Sequence, residues 1–271
     1  MQEEFKILAA AESGNLALFE LLITPTTNFN FVDTNGLSTL MHAAANGHVS
    51  ITSSLIQAGV QLDLQDKYGR SALMLAASRN HAEIAQLLIE AGAKLELTNS
   101  LGETALIRAA SYGNTTVTKY LLTAGSKLDS QNEFGWSALM RAAYGGHSGV
   151  VSILIHAKAK LDLQDADNWS ALMWAASNGY ANTVAILISA GAQLDLQNKH
   201  GATALMIAAY YGHLSTASLL IEAGANITLQ EHAGATALAW ASANGHLYLA
   251  ERLRIAKKEL DKNYNIANSS K

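Results

Sequence analysis

The chain has 271 residues, a formal net charge of -4, 49% hydrophobic and 15% charged residues, one proline and no cysteine. That balance excludes a disordered chain, disulfides and thiolate metal sites, and it offers no broad electrostatic attraction to phosphate backbones or anionic lipid. The opening Met1-Gln2-Glu3-Glu4 is acidic where a signal peptide is basic, and no apolar run approaches the roughly 18 residues of a membrane span, so the expectation is a soluble, cytoplasmic chain with no nucleic-acid or membrane partner.

Residues 1–32 form a partial unit. Ala10-Ala11 aligns with Ala43-Ala44, Gly14 with Gly47, and Leu22-Ile23 with Leu55-Ile56. A helix pair without a preceding hairpin is expected there, as suits an N-terminal cap, with Pro25 stopping its second helix.

Full units begin at Asp33, Asp66, Asn99, Asn132, Asp165 and Asn198, and a capping unit at Glu231, at a constant spacing of 33 residues without insertion. Such strict spacing describes an array of identical supersecondary units, because a slip would break the stacking of neighbours. In each unit a hydroxyl residue (Ser38, Ser71, Thr104, Ser137, Ser170, Thr203 or Thr236) stands before an apolar run. A hydroxyl there accepts from the free amides of a first turn, so all seven are predicted N-caps. The first helix should end near Gly47, Asn80, Gly113, Gly146, Gly179, Gly212 and Gly245, since Gly and Asn best tolerate a left-handed cap. Asn168 in place of a repeat glycine implies positive φ as well.

A second helix carries Leu55, Leu88, Leu121, Leu154, Leu187, Leu220 and Leu253 and ends in Ala-Gly in most units. Lys158 and Lys257 replace that glycine, at an expected backbone cost. Between units, segments such as Leu161-Asp162-Leu163-Gln164-Asp165 alternate in polarity around a turn, which predicts short hairpin arms. Residues 231–262 make a C-terminal cap: Arg252, Arg254, Lys257, Lys258, Glu259 and Lys262 leave the outer side of the last helix nothing to stack on. Residues 263–271 are expected to be a polar, frayed tail.

Hairpin, short helix, tight turn, longer helix and Ala-Gly within 33 residues resembles the ankyrin repeat, over residues 1 to about 260. The family motif Thr-Pro-Leu-His is altered throughout. Its Pro is Ala, or Thr39 in the first full unit, and its His is Met41, Met74, Ile107, Met140, Met173, Met206 or Ala239. Alanine is the best helix former and methionine packs adaptably, so the fold should survive both exchanges. The resemblance implies an all-α repeat solenoid: an ankyrin-type stack of helix pairs with short β-hairpin connections and a concave groove that binds partner proteins.

No chemistry of a catalytic kind breaks the periodicity. Five of the nine histidines, His48, His81, His147, His213 and His246, share one repeat position, so they read as turn residues and not as a converging metal site. The repeated acids Asp63, Glu96, Asp129, Asp162 and Asp195 are likewise distributed, and each is expected to organise its own turn. No phosphate loop and no Ser-His-Asp set is present, so no catalytic residue, cofactor or metal ligand is assigned.

The variable positions carry the functional reading. Mapped onto the groove that the resemblance implies, the partner-binding residues are Tyr68, Arg70, Tyr112, Phe134, Trp136, Arg141, Tyr144, Trp169, Trp174, Tyr210 and Tyr211. All four tryptophans, Trp240 included, occupy variable positions. Trp136 and Trp169 are equivalent residues of consecutive units and should lie side by side. Packing of rings between units is the competing explanation, above all for Trp174 and Trp240 inside first helices. Exposed Trp, Tyr and Arg together make an interface hot spot. The expectation is therefore a non-enzymatic adaptor that binds another protein on the central repeats, the alternative being a scaffold that self-associates into a homo-oligomer through the same groove.

Overall fold

Seven hydroxyl side chains set the frame of the fold. In the computed structural model, which describes residues 2–24 and 27–269, Ser38, Ser71, Thr104, Ser137, Ser170, Thr203 and Thr236 each accept from the amide three residues on, at 3.2–3.3 Å. Each such cap is worth about 1 kcal/mol of helix stability. The expected stop at Pro25 lies outside the described residues.

The repeats group into two compact units, Met1–Phe134 and Gly135–Lys271. The first contains α1 (Gln2–Ser13), α2 (Leu16–Leu22), α3 (Thr39–Asn46), α4 (Val49–Gln57), α5 (Ala72–Ser78), α6 (Ala82–Glu90), α7 (Ala105–Ser111) and α8 (Thr115–Thr123). The second contains α9 (Ala138–Tyr144), α10 (Ser148–His156), α11 (Ala171–Ser177), α12 (Ala181–Ser189), α13 (Ala204–Tyr211), α14 (Leu214–Glu222), α15 (Ala237–Ala243) and α16 (Leu247–Ser269). Within each unit the short first helices pack on one another in sequence, α1 on α3 on α5 on α7 and α9 on α11 on α13 on α15, and the second helices form a parallel layer beside them. This is the all-α stack of helix pairs.

Small residues make that stacking close. Ala43-Ala44, Ala76-Ala77, Ala109-Ala110, Ala142-Ala143, Ala175-Ala176 and Ala208-Ala209 are fully buried, as are the repeated leucines of the second helices from Leu55 to Leu220. Complete burial of one leucine contributes about 2 kcal/mol, so the layer is held by many equal increments and not by one central core. The methionines that replace the family histidine are buried too, and the Ser38 amide donates to Met41 Sδ at 3.4 Å.

The first helices end in the left-handed region, with Asn80 at φ 62° and Gly212 at φ 75°, and Asn168 at φ 60° stands in for a turn glycine. Lys158 adopts φ 71° and carries the expected strain. Lys257 does not. It lies inside α16, which runs unbroken from Leu247 through the segment read as a polar tail to Ser269, so no left-handed residue is needed at that position.

The connections are turns and not strand-length hairpins. An isolated antiparallel bridge pairs Val32 with Ser38, but no strand forms among the described residues. The first residue of each unit builds the turn: Asp66 Oδ1 accepts from the amides of Tyr68 and Arg70 at 2.9 and 2.8 Å, while the Asp66 carbonyl accepts from Gly69 at 2.9 Å. The side chain thus does the work of a second strand.

The repeated acids act on the next unit and not on their own turn. Asp63 accepts from the Lys94 amide, Glu96 from Lys127, Asp162 from Gln193 and Asp195 from Asn226, at 2.8–2.9 Å. The repeated histidines reach the other way. Nε2 of His48, His81, His213 and His246 lies 2.9–3.1 Å from the carbonyls of Glu12, Ala45, Ser177 and Tyr210 respectively. A carbonyl only accepts, so Nε2 carries the proton in each. Each imidazole lies against a glycine of the preceding repeat, so a Cβ on Gly212 would collide with His246 Nδ1. These two series of bonds repeat the spacing of the stack in hydrogen-bond form.

Candidate functional site: an aromatic face

In the first unit Tyr68, Tyr112 and Phe134 are exposed and Arg70 is half-buried, and each is held by its own repeat. Arg70 donates through Nε to Asp66 Oδ2 at 2.7 Å, and its guanidinium lies 5.2 Å from the Tyr68 ring. Tyr112 is covered by the Arg108 guanidinium at 5.0 Å, and Arg108 also meets Glu103 Oε2 at 3.0 Å. Phe134, about half exposed, projects from a turn closed by Asn132.

The second unit brings five of the predicted residues together. Trp136 and Trp169, at the equivalent turn position of consecutive repeats, do not touch as a simple pair, because Trp174 fills the space between them. Its ring centroid is 4.4 Å from that of Trp136 and 4.4 Å from that of Trp169. Arg141 caps the row, with Cζ 4.4 Å from the Trp136 ring centre. Tyr144 stands edge-on to Trp136 at 5.3 Å and to Trp174 at 5.5 Å. A cation and four rings therefore form one continuous ladder.

Helical spacing puts Arg141 and Tyr144 on one side of α9, and Trp174 on the matching side of α11. What fixes the row is a hydrogen bond: Trp174 Nε1 donates to Asp165 Oδ2 at 3.0 Å, and Asp165 is buried. Asp165 in turn is pinned through Oδ1 by the amides of Asp167 and Trp169 at 2.9 and 2.8 Å. The carboxylate that closes the turn thus also orients the central indole. The three tryptophans are half-buried, whereas Tyr144 is exposed.

A second group of rings follows. Tyr210 is perpendicular to Tyr211 at 4.9 Å and packs on Trp240 at 5.1 Å. Between this group and Trp169 lies a cleft of about 460 Å³, with Ala202 and Ile207 on its lining and Glu231 and His200 at its wall. The sequence explains the hollow. Ala202 occupies the turn position that holds Trp169 one repeat earlier, and Ile207 occupies the helix position that holds Trp174 and Trp240 in the flanking repeats. Alanine and isoleucine between indoles leave a gap.

Glu231 is held ionised at that wall. Its carboxylate accepts from the amides of Ala233 and Ala235, at 2.9 and 3.0 Å, and those bonds keep its pKa below the ordinary glutamate value, with His232 and His200 adding attraction. Trp240 and Glu231 lie outside the set of binding residues read from the sequence. Their signal was present in it: Glu231 is the one glutamate among the residues that open the 33-residue repeats, and Trp240 is one of the four variable tryptophans.

The arrangement brings together apolar ring faces, edge-on phenols and the carboxylates of Asp165 and Glu231, each held by backbone amides. Among the described residues no cluster of three His, Asp or Glu side chains is arranged to hold a metal, and no helix is long and apolar enough to cross a membrane.

Two-helix repeats in register, seven of them opened by the same hydroxyl cap, define a helical repeat protein. The family model for ankyrin repeats (three copies) matches residues 7–99, 92–165, 156–231 and 172–266, and the chain belongs to the ankyrin-repeat family. Ankyrin repeats generally mediate protein–protein interaction. No curated protein matches the chain.

Proposed function

We propose that this chain is a non-enzymatic adaptor that captures a partner protein on the aromatic face of its second unit, working in the cytoplasm. The observation that supports this most directly is the Trp174–Asp165 bond, which holds a row of three indoles rigid while leaving their outer edges and Tyr144 open to solvent. A pre-ordered row of rings loses little conformational freedom on binding, so more of its contact energy appears as affinity.

The test is capture from a lysate by the tagged full-length chain, with mass spectrometry of what is retained. Trp136→Ala combined with Trp169→Ala removes both outer rings but keeps the Trp174–Asp165 bond. Loss of a specific retained protein, with the helical circular dichroism spectrum intact, supports the reading. Unchanged capture by the double variant overturns it. Light scattering across a concentration series addresses self-association: a dimer that the same double variant abolishes would assign the face to a second copy of this chain.

A further inference from the structure

Where a repeat of this chain opens with an acid, a side chain of the same repeat donates a hydrogen bond to that acid, except once. Asp33 meets His42 Nε2 at 3.1 Å, Asp66 receives Arg70 Nε at 2.7 Å, and Asp165 receives Trp174 Nε1 at 3.0 Å. In the repeat that opens with Glu231, the positions equivalent to Arg70 and Trp174 hold Ala235 and Trp240. Alanine offers nothing. Glu231 is longer than aspartate by one methylene and turns both oxygens onto backbone amides, so Trp240 makes no such bond to it. Among the described residues Glu231 forms no ion pair with any lysine or arginine.

The carboxylate is nonetheless ready for one. Each oxygen accepts a single amide and keeps a lone pair, and two fixed bonds hold the group in one orientation. It faces the cleft lined by Trp169, Tyr210, Tyr211 and Trp240, whose ring faces carry the negative side of the aromatic quadrupole. No lysine or arginine lines that cleft. Rings and carboxylate together attract a flat cation.

We propose that this cleft seats an arginine side chain of the partner protein, its guanidinium bonded to the Glu231 carboxylate and lying against the surrounding rings. The inference rests on the reading of the second unit as a partner-binding face and names what one part of it holds. The chain's own repeats display the same chemistry internally: Arg70 joins a carboxylate and a tyrosine face, Arg108 joins Glu103 and Tyr112, and Arg141 covers Trp136. The net charge of -4 is complementary to a basic guest. A guanidinium suits the site better than an ammonium because it is planar, stacks on rings and bonds a carboxylate through two parallel N–H groups.

The test uses the full chain labelled with ¹⁵N and three blocked pentapeptides, glycine throughout except for a central arginine, lysine or norleucine. The four indole N–H resonances are followed during titration to the solubility limit of each peptide. The arginine peptide should shift the Trp169 and Trp240 resonances saturably and leave Trp174 unmoved. Glu231→Gln, which keeps an oxygen for the turn, should weaken that binding about tenfold, and Trp240→Leu should remove it. Circular dichroism melts of both variants check that the last repeat remains folded. Equal binding of norleucine or lysine, equal binding by Glu231→Gln, or no saturable shift overturns the arginine seat. Lysate capture keeps the two claims apart: if Glu231→Gln captures as well as the unaltered chain while the Trp136→Ala, Trp169→Ala chain does not, the binding face stands and the arginine seat falls.

Discussion

The indole N–H of Trp174 and the buried carboxylate of Asp165 lie 3.0 Å apart, and that bond turns a helix residue into the centre of a half-buried row of rings. A turn-forming aspartate and a ring nine residues later act as one part. The face they hold is stiff because its middle member is tied to the backbone turn that also carries Trp169.

Trp174→Phe keeps a ring in the row but strands Asp165 Oδ2 in a buried place. Leaving such an acceptor unpaired costs about 2 kcal/mol, whereas Trp240→Phe keeps a ring and strands no carboxylate, because Glu231 accepts from backbone amides, and should cost less. Urea unfolding followed by circular dichroism should rank the two variants in that order. In hydrogen–deuterium exchange the Trp174 indole proton should outlast that of Trp240.

The bonds from the repeated histidines to the preceding repeat should tolerate asparagine and not alanine. Asn114 already occupies this position in its own repeat, where Nδ2 donates to the Ala77 carbonyl at 2.6 Å and to that of Ser78, the equivalent of Ser177, at 3.3 Å. His213→Asn should therefore melt within a degree or so of the unaltered chain, because the same donor is retained. His213→Ala leaves the Ser177 carbonyl without that donor and should lose about 1–2 kcal/mol.

Lys158 and Lys257 share a repeat position and should respond oppositely to glycine. Lys158 sits at φ 71°, so Lys158→Gly relieves left-handed strain and should stabilise by about 1 kcal/mol. Lys257 is inside α16, where Lys257→Gly loses helix propensity and should destabilise by a similar amount, about 0.5–1 kcal/mol. Chemical denaturation of both variants reads the signs directly.

Acid should loosen the turn at Glu231. Backbone bonds from Ala233 and then Ala235 lower its pKa in the folded chain, so its contribution is complete above the unfolded glutamate pKa of about 4.3. It is lost as pH falls through the lower folded value. Trp240 fluorescence should change over that window, and Glu231→Gln, which carries no titrating proton, should abolish the change. A transition retained in Glu231→Gln would assign it to another carboxylate.

Local backbone rules were legible without coordinates. The seven caps, the left-handed Asn80, Asn168 and Lys158, and the buried alanine pairs all follow from chemistry within a few residues, which neighbours in space do not alter. The ankyrin stack follows as well, because a strict period admits only equivalent contacts between neighbours. Lys257 escaped these rules for a reason of context: as α16 continues to Ser269, the residue needs no positive φ.

Tertiary structure alone decided which side chains meet across repeats. Asp63 and its equivalents bind amides of the following unit, a pairing that sequence separation hides. Trp136, Trp169 and Trp174 were each visible as variable aromatics, but the order of the row depends on rotamers and on the indole N–H that Asp165 Oδ2 accepts. The cleft beside Glu231 depends on the same kind of relation, since Ala202 and Ile207 open it only because larger rings stand on either side. Periodicity determined the scaffold, since it acts between equivalent positions; the aromatic face arises where equivalence is broken, and there only packing in three dimensions selects the neighbours.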